Sequence, residues 1–92
     1  MLKRIHIILS GKVQAVSLRD FIRKEAQRLN IVGFVRNLHD GTVEVVGEGE
    51  DDKLKVFERE CKRGSLLAFI KSAEVKQLEP DPQEYEVFSI RF

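Results

Sequence analysis

Two stretches of the chain carry residue types that suit the handling of an anion. In Ser10-Gly11-Lys12-Val13-Gln14-Ala15-Val16-Ser17-Leu18-Arg19, an apolar alternating run ends at a glycine and an amphipathic run begins beside an arginine. A short loop that feeds a helix presents backbone amides that find no acceptor inside the helix, and the helix dipole adds partial positive charge there, so the junction is a natural anion seat. Arg19 can reach back over the loop with a planar pair of donors for two oxygens of one phosphate. In the second stretch, Gly33-Phe34-Val35-Arg36-Asn37-Leu38-His39-Asp40-Gly41-Thr42-Val43-Glu44, an asparagine stands near a turn dipeptide. Its amide both accepts and donates hydrogen bonds, which suits holding a water. On residue type alone, Arg19 reads better as a solvated helix charge, a judgement its place directly after the loop reverses, and Asn37 is equally a pre-turn residue favoured for local hydrogen bonding.

The elements that must position these groups are readable from periodicity. Ile5, Ile7 and Leu9 alternate with Arg4, His6 and Ile8, a strand packed on one face that ends at Ser10-Gly11. From Leu18, apolar residues at Leu18, Phe21, Ile22, Ala26 and Leu29 oppose Asp20, Arg23, Lys24, Gln27 and Arg28, an amphipathic helix. Ser17 followed by Asp20 has the spacing of a hydroxyl and a carboxylate that cap the first turn. Ile31 to Leu38 and Thr42 to Glu48 read as strands around Asp40-Gly41, a dipeptide suited to a type I′ hairpin turn. Asp51-Asp52 open a second helix with Leu54, Phe57 and Cys61 on its buried side, Lys62-Arg63 in its last turn and Gly64 as its stop. Phe69 to Leu78 is a half-buried strand; Pro80 and Pro82 break the chain; Tyr85 to Phe92 places Phe88, Ile90 and Phe92 on one face. The order β-α-β-β-α-β is that of an α+β, ferredoxin-like split βαβ sandwich: an antiparallel sheet with both helices on one face.

Composition narrows the chemistry. Ninety-two residues suit one domain spanning 1–92, since a chain this short buries only about 60 to 65 % of its unfolded surface. With 16 basic and 15 acidic side chains the net charge is +1, so no global field draws in nucleic acid and any anion must be held locally. The single cysteine, Cys61, excludes an internal disulfide and a Cys-x-x-Cys metal or redox site, fits a reducing cytoplasmic compartment, and stands at a buried helix position where an inert core thiol is expected. His6, expected on the open face of the sheet, and His39, expected exposed near the turn, form no ligand cluster, so no metal and no cofactor is expected. The stretch Ile5 to Leu9 is too short for a signal peptide core and no run reaches the length of a membrane span.

Taken together, the two motifs resemble the acylphosphatase family, from about Ile5 to Gly49 as motif and to Phe92 as element order. The family pattern Gly-x-Val-Gln-Gly-Val-x-aromatic-Arg is matched except that Ala15 replaces the second glycine and Leu18 the aromatic or Met. The resemblance implies hydrolysis of acyl phosphates to carboxylate and inorganic phosphate without metal. It implies that the amides from Gln14 through Ala15, Val16 and Ser17 to Leu18 cradle the phosphate with Arg19, that Asn37 holds the attacking water, and that a fifth strand lies at the sheet edge. The implied partners are a small acyl phosphate or inorganic phosphate, with a monomer in the cytoplasm and no nucleic acid or membrane. Ala15 also leaves open a degenerate member that keeps the fold and binds phosphate or a protein partner with little turnover. RNA binding fits poorly: Gly33-Phe34-Val35 echoes an RNA-recognition motif on the wrong strand, and strand one has no stacking aromatic.

Overall fold

The structure, a computed structural model, describes residues 1–14 and 16–92. The alternation around Ile5, Ile7 and Leu9 becomes β1 (Leu2–Lys12), followed by α1 (Leu18–Arg28), β2 (Val32–Asn37), β3 (Val43–Glu50), α2 (Asp51–Arg63), β4 (Phe69–Leu78) and β5 (Phe88–Arg91). The five strands form one sheet in the order β4-β1-β3-β2-β5. Four of them pair antiparallel, while β5 takes the edge beside β2 in parallel, so the sheet is mixed rather than purely antiparallel.

Strand register sorts side chains by face. Ile7 pairs with Val45, Val45 with Val35, and Val35 with Ile90, a row of apolar residues under the helices. Against it α1 buries Leu18, Ile22 and Ala26, and α2 buries Leu54, Phe57 and Cys61, the spacing expected from the sequence. α1 lies over β2 and β5, α2 over β1 and β3. Burial pushes the Cys61 thiol well above its ordinary range, with help from Glu58 and Glu25, so it packs as an inert hydrophobe.

Three local devices differ from the sequence reading. Ser17 does not cap α1: it sits in left-handed backbone at φ 59°, ψ 19°, and its hydroxyl makes no capping bond, while Asp20 pairs with Arg23 and Lys24 instead. The hairpin turn is not type I′, because Asp40 is not in positive φ; Gly41 alone is, at φ +91°. Gly41 N–H donates to Leu38 O and Leu38 N–H to Thr42 O, the pattern of a three-residue loop that ends in a left-handed glycine. At the other end of α1, Asn30 supplies the left-handed residue at φ 58°, and Ile31 N–H reaches Ala26 O at 2.8 Å in a Schellman closure.

The face of the sheet away from the helices is half covered by the segment between β4 and β5. Arg4 and Glu48, directly opposite in the β1–β3 register, are both buried there. Arg4 Nε donates to Glu48 at 2.9 Å, Nη1 to Glu84 at 2.7 Å and Nη2 to Asp81 O at 3.4 Å, while Asp81 N–H donates to Glu48 at 2.8 Å. Because residues 79–87 are engaged in this strap, β5 begins only at Phe88 instead of at Tyr85. His6 lies on the same face, as expected, with its Nε2 2.8 Å from Glu44.

Candidate active site

Parallel β1 and β2 flank antiparallel β3, so the end of β1, the end of β2 and the start of α1 all come to one end of the sheet. The exit from β1 is set by a register shift at Ser10/Gly11 against β4. Gly11 has φ +122°, and a Cβ there would meet Phe69 O at 2.2 Å, so glycine is required where the chain leaves the strand.

The loop after Lys12 is anchored from inside and polar outside. Val13 and Val16 are buried, and Ser65 Oγ donates to Val16 O at 3.2 Å, tying the loop to the turn after α2. Leu18 is also buried, so Val16 and Leu18 have only backbone to offer a ligand. Ala15 lies outside the described residues. The first helical bond runs from Phe21 N–H to Ser17 O at 3.1 Å, which leaves the amides of Leu18, Arg19 and Asp20 without acceptors inside α1. A left-handed residue next to right-handed ones turns successive N–H groups toward one point, a concavity that favours anions. Ser17 creates that turn without being glycine, at a backbone cost of about 1 to 2 kcal/mol.

Arg19 is half-buried beside this concavity, with Cζ 4.9 Å from the centre of the Phe92 ring. The carboxylate next to it in the chain, Asp20, is taken up by Lys24 at 3.1 Å and by Arg23, which together hold its pKa below the ordinary value. Arg19 has no carboxylate partner among the described residues. Val13, Ser17, Leu18, Arg19, Asp20, Ile90 and Phe92 line a cleft of about 140 Å³ at this point, the Asp20 carboxylate being the one held by Lys24 and Arg23. A larger cleft of about 590 Å³ between Met1 to Lys3 and Gln77 to Pro80 lies at the opposite end of the sheet; it sets Glu79 near Lys3 and the Met1 ammonium, the latter paired with Glu50, and has no helix start in its lining. Phe92, read from the sequence on one face with Phe88 and Ile90, is fully exposed and is the surface on which Arg19 rests.

Asn37 pairs with Val43 across the hairpin and so shares the helix-facing side of the sheet with Val35. Its Oδ1 is buried and takes no hydrogen bond from the described residues. Asn37 does not line the 140 Å³ cleft; what joins it to the cradle is Gln14. Gln14 Nε2 donates to Leu38 O and to Thr42 O, both at 2.9 Å, so its side chain faces the hairpin that follows Asn37. Asp40 shapes that hairpin from outside, accepting from Thr42 N–H at 3.0 Å and Thr42 Oγ1 at 2.6 Å, and these two bonds lower its pKa. His39 is exposed.

Among the described residues, a guanidinium with no carboxylate partner, first-turn helix amides and a buried carboxamide oxygen with no donor lie at one end of the sheet, groups suited to a small tetrahedral anion and one water. A model of the acylphosphatase family matches residues 5–90. The chain belongs to the acylphosphatase family. It is 47 % identical over 74 residues to an acylphosphatase of Pseudomonas aeruginosa, covering 80 % of this chain and 81 % of that protein. An acylphosphatase of Caldivirga maquilingensis is 39 % identical over 90 residues, covering 97 % and 94 %. The crystal structure of acylphosphatase from Bacillus subtilis superposes with a TM-score of 0.91 at 33 % identity, over 100 % of both chains. These relatives belong to a hydrolase family that acts on acyl phosphates, and the fold described above matches that of the Bacillus subtilis structure. No helix of the described residues is long and apolar enough to cross a membrane.

Proposed function

We propose that this acylphosphatase cleaves its substrate at the β1–α1 junction, with Arg19 and the loop amides holding the phosphoryl group and Asn37 holding water. The observation that carries the reading is the left-handed Ser17 at the helix entry, which turns the free first-turn amides toward the side where Arg19 has no carboxylate partner among the described residues. The water oxygen attacks phosphorus as the bond from phosphorus to the acyl oxygen breaks. The dianionic acyl phosphate and water give a carboxylate and dihydrogen phosphate, the water's two protons ending on phosphate. A carboxylate whose acid has a pKa of about 4 leaves without a proton donor, so charge stabilisation and in-line placement carry the catalysis. Arg19 and the amides meet the charge spread over the equatorial oxygens; the Asn37 Oδ1 accepts from the water and aims its lone pair. The same reading takes residues 1–92 as a single domain, monomeric and cytoplasmic, with Cys61 a lone core thiol.

The test is hydrolysis of benzoyl phosphate in the presence of chelator. The wild type is expected to turn over. Arg19→Ala should lower kcat/KM by about a thousandfold and Asn37→Ala should lower kcat by about a hundredfold, the size of losing one charge-stabilising or orienting group. A folded wild-type protein that binds phosphate but shows no turnover above the Arg19→Ala background would give the degenerate reading instead.

A further inference from the structure

We infer that Gln14 is a positioning residue for Asn37: its side-chain amide locks the hairpin that carries Asn37 to the phosphate cradle and is not itself a phosphate ligand. The inference rests on the proposed placement of water by Asn37.

The geometry is specific to a primary amide. Leu38 O already accepts Gly41 N–H at 3.2 Å, and Thr42 O already accepts Leu38 N–H at 2.9 Å; these two bonds close the turn. Gln14 Nε2 supplies the second hydrogen bond to each of the same two carbonyls, each at 2.9 Å. Both near atoms are acceptors, so the nitrogen, with its two N–H donors, is the end of the amide that must face them. Both donors of Nε2 are thereby consumed on the hairpin, leaving none on that nitrogen for a phosphate oxygen. An amine or guanidinium could span the two carbonyls, but it would place a second full cation beside Arg19 and strengthen binding of substrate and product alike.

The consequence is mechanical. Asn37 is the last residue of β2, and beyond it the chain turns through exposed His39 and Asp40. Without Gln14, the bonds among the described residues that hold that turn are its own two backbone bonds and those of Asp40 on the solvent side. Gln14 instead references the turn to the loop that begins the cradle, 24 residues away from Leu38 in sequence. The attacking water is then held relative to the phosphate by one short path: cradle, Gln14, Leu38, Asn37.

The experiment compares Gln14→Met, which keeps the length and removes both donors, with Gln14→Asn, which keeps both donors and cannot span the distance. Both variants should lower kcat on benzoyl phosphate about tenfold, in line with the sensitivity of in-line attack to sub-ångström misplacement, while competitive inhibition by inorganic phosphate stays within twofold. In an Asn37→Ala background Gln14→Met should cause no further loss. A weakened phosphate inhibition constant, or an equal tenfold loss without Asn37, overturns the inference. Exchange of the Leu38 amide should also rise about fivefold in Gln14→Met at unchanged Tm; unaltered exchange overturns the inference even if the wild type proves inactive, which is the separate failure of the proposed function.

Discussion

Two arginines on one framework are used in opposite ways. Arg4, at the start of β1 on the open face, is buried and paired: Glu48, Glu84 and a backbone carbonyl each accept from it, through Nε, Nη1 and Nη2, and its Cζ lies 4.9 Å from the centre of the Tyr85 ring. Burial works against its charge, but the hydrogen bonds to Glu84 and Glu48 outweigh that and raise its pKa. Arg19, at the far end of the sheet, rests on an aromatic ring and has no carboxylate partner among the described residues. The same contrast holds for the acceptors. Glu48 serves Arg4 and Asp81 together, whereas Asn37 Oδ1 is buried with nothing to accept from among the described residues. Polar groups that hold the fold are closed on one another; polar groups of the proposed site are left open among the described residues. In the second region strain is tolerated too, at Ser17, and the closed network is among the interactions that offset it.

The sharpest way to test that division is to open the closed network. Glu48→Ala removes a carboxylate that is 1 % exposed and leaves Arg4 and Asp81 N–H short of a partner. Breaking a buried pair from one side should cost about 3 kcal/mol, the low end of the usual range because Glu84 remains. For a domain of this size that lowers Tm by about 15 °C. Turnover per folded molecule, measured well below the new Tm, should stay within a factor of two. A large loss of kcat would mean that the strap and the cradle are one unit, and the comparison would break.

The reverse substitution probes the open region. Arg19→Lys keeps the charge and loses the planar pair of donors, so kcat/KM should fall about a hundredfold, while Tm moves by no more than a degree or two because no carboxylate partner is lost. Thermal unfolding and benzoyl phosphate kinetics on the same sample read both quantities. A fall in stability as large as that of Glu48→Ala would show that Arg19 is part of the structural network after all.

What was legible in the sequence follows the same line. Elements whose evidence is local were readable: the alternation of Ile5, Ile7 and Leu9, and the spacing of Leu54, Phe57 and Cys61, carry their own periodicity. Arg19 and Asn37 stand out in the sequence as site candidates only because motif and element order agree with a known family. The misses are contacts between distant residues. Arg4 in an alternating strand looks like a solvated charge, and nothing nearby says that Glu48, 44 residues on, and Glu84, 80 residues on, will bury it. That strap also consumed the first residues assigned to the last strand. The sequence Ser17-x-x-Asp20 matches a capping pattern, but Arg23 and Lys24 compete for Asp20 and Ser17 takes left-handed backbone with no capping bond. Asn30 went unread as a helix stop because glycine is the commoner signal for the left-handed position.

Ser17→Gly isolates the strain in the open region. Glycine accepts φ 59° without the Cβ penalty, while its unfolded chain is more flexible, so the two effects partly offset. A net gain of about 0.5 kcal/mol is expected, with the phosphate inhibition constant unchanged because the amide directions are unchanged. If stability falls instead, Ser17 holds the loop through its side chain and the strain assignment is wrong.

The smallest effect is in pH. Glu84 is the exposed member of the strap, and its pKa is held below the ordinary 4.5 chiefly by the hydrogen bond from Arg4, with Tyr85 adding and desolvation opposing. A carboxyl whose folded pKa is lowered adds stability that is complete above its unfolded value and is lost as pH falls through the folded value. The urea midpoint of the wild type should therefore exceed that of Glu84→Gln by a constant margin from pH 7 down to about pH 5.5, and the margin should close below pH 4.5. Other carboxylates shifted in the same direction, Asp20, Asp40, Glu44 and Glu60, bend both curves alike, so the difference reads Glu84 alone. Because Glu84 is 45 % exposed, raising salt should shrink the margin at neutral pH as well. A margin that persists to pH 3 would mean that Glu84 supports the strap by packing rather than by charge, and the contrast between the two arginines would then rest on Glu48 alone.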